Sequence, residues 1–113
     1  TTMKILFTAR GTDWNAKPDN RFGRGKYFVV YDEEQDHLTA HSNEENVNAG
    51  HGAGIQAAQK AINLGVDVII SAELGPKARQ TISQSHCRLY TVDDSSTIQE
   101  LYKQYKKGHL KEQ

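Results

Sequence analysis

Cysteine is almost missing from this chain of 113 residues: Cys87 is the only one. A single thiol excludes an intrachain disulfide, and within one protomer it excludes the four-thiolate ligation of ordinary iron–sulfur clusters. Net charge is missing as well. The 14 basic and 14 acidic side chains cancel, so no global field draws the chain toward nucleic acid or a membrane surface. Long apolar runs are absent, since none approaches the ~18 residues that suggest a membrane span. Nothing resembles a secretory leader. Repeats and low-complexity tracts are absent too. At this length one domain over residues 1–113 is expected, cytoplasmic and free of nucleic-acid or membrane partners. Catalytic signatures are equally scarce. No serine or cysteine has an evident base and orienting acid, and no phosphate-loop signature occurs. The expectation is a protein that is not an enzyme.

What is present is a succession of short strands and helices. Lys4–Ala9 is a short apolar run without alternation and reads as a buried central strand. Residues 10–25, rich in glycine, asparagine and aspartate, form a long polar loop, and long loops in compact domains are more often functional than idle. Tyr27–Tyr31 is aromatic and β-branched, a second strand; 32–36 is a solvated turn; His37–Ser42 is a short edge strand with His37 and His41 on one face. A helix begins near Gly52, with Ile55, Ala58, Ala61, Ile62 and Leu64 at helical spacing, and stops at Gly65. Val66–Ser71 is the clearest strand. Gly75-Pro76 opens a helix through about Gln84, Cys87–Val92 is a last strand, and Asp94 or Ser95 caps a final helix ending by Gly108.

The order β-β-β-α-β-α-β-α, with right-handed crossovers, places helices on both faces of a mixed five-stranded sheet of order 3-2-1-4-5, strand 2 antiparallel. In such sheets ligands bind beyond the carboxyl ends of the parallel strands, where the winding reverses. That edge gathers Arg10 and Gly11 after strand 1, and Phe22, Gly23, Arg24 and Gly25 before strand 2. It also gathers His51, Gly52, Ala53 and Gly54 at one helix start, and Gly75 and Lys77 at another. Helix starts offer free backbone N–H groups and partial positive charge. The crevice is therefore basic and poor in hard metal ligands, suited to an anion. Lys77 is disfavoured by the helix dipole unless an anion compensates it. Each residue also has a plainer reading. His51 is a ligand or a solvated loop histidine, Arg24 contacts a ligand or braces Asp13 or Asp19, and the glycines serve backbone geometry first. Trp14 and Phe22 wall the pocket or pin the loop. Cys87 reads as a small core residue. A two-metal nuclease is excluded because strand 1 carries no carboxylate and Glu73 is the only acid near the strand ends.

These pieces, in this order, resemble the dinitrogenase iron–molybdenum cofactor biosynthesis family, the NifX/NafY-type domains. The matching segments are Met3-Lys4-Ile5, Arg21-Phe22-Gly23-Arg24 before Tyr27-Phe28, and His51-Gly52-Ala53-Gly54-Ile55. They continue with residues 65–70, Leu74-Gly75-Pro76-Lys77-Ala78 and residues 105–110. The resemblance implies a three-layer α/β/α ribonuclease-H-like fold. It also implies a role in binding, carrying or helping assemble metal–sulfur clusters, with stand-alone relatives outside nitrogen fixation that bind molybdenum-containing sulfide clusters. The expected ligand is then a molybdenum- or iron-containing sulfide cluster, readily lost from recombinant protein. His51 would be its one metal ligand. The expected partner is a cluster-assembly or acceptor protein, the chain itself being a monomer or weak dimer. The rival expectation is a regulatory or scaffold module that binds a phosphorylated metabolite or a protein in the same basic crevice.

Overall fold

Residue parity within the strands sets the layers. The structure, a computed structural model, describes residues 3–19, 26–43, 53–72, 74–93 and 95–112. Five strands are found there: β1 (Lys4–Ala9), β2 (Tyr27–Asp32), β3 (His37–Ser42), β4 (Val68–Ser71) and β5 (Arg88–Thr91). The helices among the described residues are α1 (Ala53–Asn63), α2 (Pro76–Ser83) and α3 (Ile98–Lys106). The sheet order is β3-β2-β1-β4-β5. β2 runs antiparallel to both β1 and β3, while β4 is parallel to β1 and β5. This is the mixed sheet expected from the element order.

Leu6, Phe28, Ile69 and Leu89 occupy one parity and pack with Ala57, Ala58 and Ala61 of α1 and Ala78 and Ile82 of α2. Ile5, Phe7, Val29, Val68 and Ile70 occupy the other and pack with Ile98 and Leu101 of α3. Both faces of the central strands are thus covered, and β1 needs no polar alternation. Each fully buried Ile, Leu or Phe removes apolar surface worth about 1.5–3 kcal/mol. Ala57, Ala58 and Ala61 of α1 are fully buried, and their small size lets that helix lie close to the sheet.

Several expected boundaries move, each for a local reason. β4 begins at Val68 rather than Val66, and Asp67 just before it is tied to Lys4, its Oδ2 accepting from the Lys4 N–H at 3.0 Å. β5 begins at Arg88 rather than Cys87, whose N–H donates to Ser85 Oγ at 3.1 Å. The final helix is capped by Thr97, not by Asp94 or Ser95. Thr97 stands three residues before Glu100 and forms a capping box with it. Asp93 is spent on Ser95, accepting from its N–H at 3.0 Å and its hydroxyl at 2.5 Å. Gly65 ends α1 as expected, at φ +75, where a side chain would be strained.

Candidate functional site

The chain leaves β1 for β2 on one side and leaves β4 for β5 on the other, so the winding reverses between two adjacent parallel strands. Their carboxyl ends deliver buried Ala9 and exposed Arg10, then buried Ser71 and Ala72. α1 and α2 both start at this edge, above one face. Their first turns touch: a Cβ on Gly54 would lie 3.6 Å from the Ala78 Cβ, an ordinary contact. Neither first turn contains an acidic residue. α2 opens at Gly75, which has extended backbone (φ −68, ψ 164) and no side-chain cap, with Pro76 next and Lys77 exposed. Beneath that face lies Thr8, fully buried, and its Oγ1 has no hydrogen-bond partner. Extending the β1–β4 register by one residue sets Thr8 beside Ser71, whose own hydroxyl donates to the Ala72 carbonyl at 2.7 Å. An unpaired buried hydroxyl costs about 1–3 kcal/mol unless something binds it.

The third helix start, on the opposite face, is closed by the protein itself. Thr97 Oγ1 accepts from the Glu100 N–H at 3.3 Å, and Glu100 Oε1 accepts from the Thr97 N–H at 3.3 Å. Two more of its N–H groups are taken by the loop after β1: Ile98 donates to Ala16 O at 2.9 Å, and Gln99 to Trp14 O at 3.2 Å. That loop is tied down along its described length by Arg10 N–H to Lys17 O, Ala16 N–H to Asp13 O and Asp19 N–H to Thr8 O. Trp14 packs against Phe7, Tyr31 and Tyr102 with centroid separations of 6.2, 5.0 and 5.7 Å. Of the two roles open to Trp14, it pins the loop. Around it the phenols are held neutral. The Tyr31 hydroxyl donates to Asp36 at 2.5 Å, and its pKa is raised to about 12, chiefly by that bond. Tyr102 is raised further by burial and by its bond to Glu33, which Lys106 also pairs at 3.0 Å.

Of the residues expected at the site, Arg10, Gly11, Gly54, Gly75 and Lys77 stand at the edge, and Ala53 is the first residue of α1. Phe22, Gly23, Arg24, Gly25, His51 and Gly52 lie outside the described residues, as do Arg21 and Glu73. Cys87 is buried at the amino end of β5, away from this edge, its Sγ 3.2 Å from the Val66 carbonyl. His37 and His41 do share a parity on β3. Among the described residues no three His, Cys, Asp or Glu side chains gather as a metal site. Thr8 escaped the sequence reading, because a threonine in an apolar strand carries no signal of being unpartnered.

A mixed sheet of order β3-β2-β1-β4-β5, with two acid-free helix starts at its winding reversal, defines a small α/β protein. Comparison with known proteins fixes the family. Residues 3–108 match the dinitrogenase iron-molybdenum cofactor family, and the chain belongs to it. It is 30% identical over 110 residues to an uncharacterized protein of Methanocaldococcus jannaschii, spanning 96% of this chain and 92% of that one. Among solved structures it is similar to the apo form of the orange protein from Desulfovibrio gigas. The TM-score there is 0.93 at 28% identity, covering 98% of this chain and 92% of the other. It also resembles a Thermotoga protein of the DUF35 family, with TM-score 0.81 at 25% identity over 97% and 92% of the two chains. No helix among the described residues is long and apolar enough to cross a membrane.

Proposed function

We propose that this chain is a non-catalytic carrier of an anionic metal–sulfur cluster, taken up at the carboxyl edge of a ribonuclease-H-like sheet. The observation that carries the reading is the convergence of two helix starts without acidic residues, one lacking any side-chain cap, next to a buried unpartnered hydroxyl. A molybdenum- or iron-sulfide cluster presents an anionic, sulfur-covered surface. Backbone N–H groups and guanidinium groups suit that surface, and protein thiolates become optional. Family membership points the same way, and the Desulfovibrio gigas relative bears the name of a colour and was solved as an apo form.

In this reading Arg10, Gly11, Gly54, Gly75 and Lys77 frame the edge, and Ala53 opens α1 beside it. Phe22, Gly23, Arg24, Gly25, His51 and Gly52 complete it, with His51 the single metal ligand. Few ligands to the metal make release easy, as a carrier that hands cargo to an assembly or acceptor protein in the cytoplasm requires. The test is metal and acid-labile sulfide content after anaerobic purification. His51→Ala and Arg24→Ala should lower cluster retention with the fold intact, and unchanged retention in both would sink the assignment. An organic phosphate bound stoichiometrically, with no metal, would instead establish a phosphometabolite-binding module.

A further inference from the structure

The face that carries α3 holds a group of aromatic rings built around Trp14, the only tryptophan of the chain. Its ring centroid lies 5.0 Å from that of Tyr31 and 5.7 Å from that of Tyr102, and the two phenol rings are 5.1 Å apart. Ring contacts of this kind serve packing, but packing does not account for the polar ends. All three rings are only partly buried, and each phenol donates to a carboxylate, Tyr31 to Asp36 at 2.5 Å and Tyr102 to Glu33.

The two carboxylates are not equivalent. Glu33 already pairs with Lys106 at 3.0 Å, and that positive charge opposes the uptake of a proton. Asp36 is exposed, and among the described residues it makes no salt bridge. It is also the one non-glycine at positive φ among the described residues, at +50. Glycine or asparagine would suit that left-handed position as well, but neither takes up a proton. Negative charge gathers at the same phenol, since Asp36, Glu33 and Asp32 all bear on Tyr31. An electron is easier to remove from a ring in such a field.

We propose that Trp14 and Tyr31 form a one-electron redox pair, in which an oxidising equivalent placed on the indole passes to the phenol while the phenol proton passes to Asp36. The oxidant is a small diffusible inorganic radical. It takes one electron from the indole and leaves as its anion, and the indole N–H proton goes to water. The indolyl radical then takes one electron from Tyr31 and recovers its proton from water. The Tyr31 O–H bond breaks as an O–H bond forms on Asp36 Oδ1, and water removes that proton from the exposed carboxyl. The phenol therefore never carries the positive charge of a protonated radical. Trp14 lies on the loop that leaves the carboxyl edge, whereas Tyr31 pairs with Ile5 near the amino end of β1. The transfer thus draws the oxidising equivalent away from that edge. The inference stands on the aromatic face alone and does not depend on what the carboxyl edge binds.

Pulse radiolysis of the whole chain, with the azide radical as oxidant, tests the pair. With a single tryptophan the indolyl absorption reports Trp14 alone. It should decay as the phenoxyl absorption rises, at a rate independent of protein concentration and slowed in deuterated water. Tyr31→Phe keeps the ring and should abolish this phase, while Tyr102→Phe, which leaves Asp36 in place, should preserve it. Asp36→Asn keeps the turn and a hydrogen-bond acceptor but not the base, and should slow the phase. The deuterium effect on the wild type reads the proton transfer without any substitution. Indolyl decay that scales with protein concentration overturns the proposal. So does a phase that survives Tyr31→Phe, or one that responds neither to Asp36→Asn nor to deuterated water.

Discussion

Among the described residues three helices start at one edge of this sheet, and the protein treats them in two ways. α3 is closed from within: Thr97 and Glu100 cap it reciprocally, and the carbonyls of Trp14 and Ala16 take two of its amides. The starts of α1 and α2 carry no acid, and α2 lacks a side-chain cap. Free helix-start amides are costly to bury and favourable to offer to an anion. One face of the edge is therefore closed by the protein itself, and the other is where the proposed ligand would sit. The closure of α3 comes from the Thr97 and Glu100 side chains and from two loop carbonyls.

Trp14→Ala should break the closed side most severely. It removes three ring contacts and loosens the loop that caps α3, so about 3 kcal/mol should be lost in denaturant unfolding. Thr97→Ala should cost about 1 kcal/mol through loss of the cap. Alkali should attack the same face. Tyr31 has a folded pKa raised to about 12 against an ordinary value of 10.0, so its contribution is complete below pH 10. That contribution is lost as pH rises from 10 toward 12 and the unfolded chain deprotonates first. Tyr31→Phe should flatten the stability profile in that range.

On the open side the effects on stability are smaller and of opposite sign. Thr8→Val deletes an unpartnered buried hydroxyl at nearly constant shape, and should be neutral or stabilising by up to about 1 kcal/mol in the empty protein. Ser71→Ala, which removes a made hydrogen bond, should instead destabilise. Gly75→Asp should add a few tenths of a kcal/mol by supplying the missing cap. A Cβ there meets nothing within 4 Å and φ is −68, so the side chain fits. The built-in carboxylate should then compete with any bound anion, trading function for stability. A calorimetric melt and a cluster-retention assay on the same preparation would read both effects.

How much of this was legible in the sequence follows the range of the interactions. Lys4–Ala9 and His37–Ser42 are bounded by local pattern, and their ends fall where composition places them. The sheet order follows from connection rules applied to that element order. At the misplaced ends, Asp67, Cys87 and Thr97 make local side chain–backbone bonds, a reciprocal pair in the case of Thr97, which no periodicity announces. At the carboxyl edge, glycine-plus-base segments were legible as residue types. The closure of α3 was not, since it uses carbonyls of Trp14 and Ala16, and a carbonyl leaves no trace in residue identity. Thr8 was invisible for a related reason: its character lies in a partner it lacks.

The most direct test of the open-edge account compares wild type with Gly75→Asp, each purified anaerobically from the native cells and assayed for metal and acid-labile sulfide. The account predicts molybdenum or iron together with sulfide in the wild type, and their loss from a variant that melts no lower. Absence of both from fresh wild-type protein, or equal cluster content in the two, would contradict it.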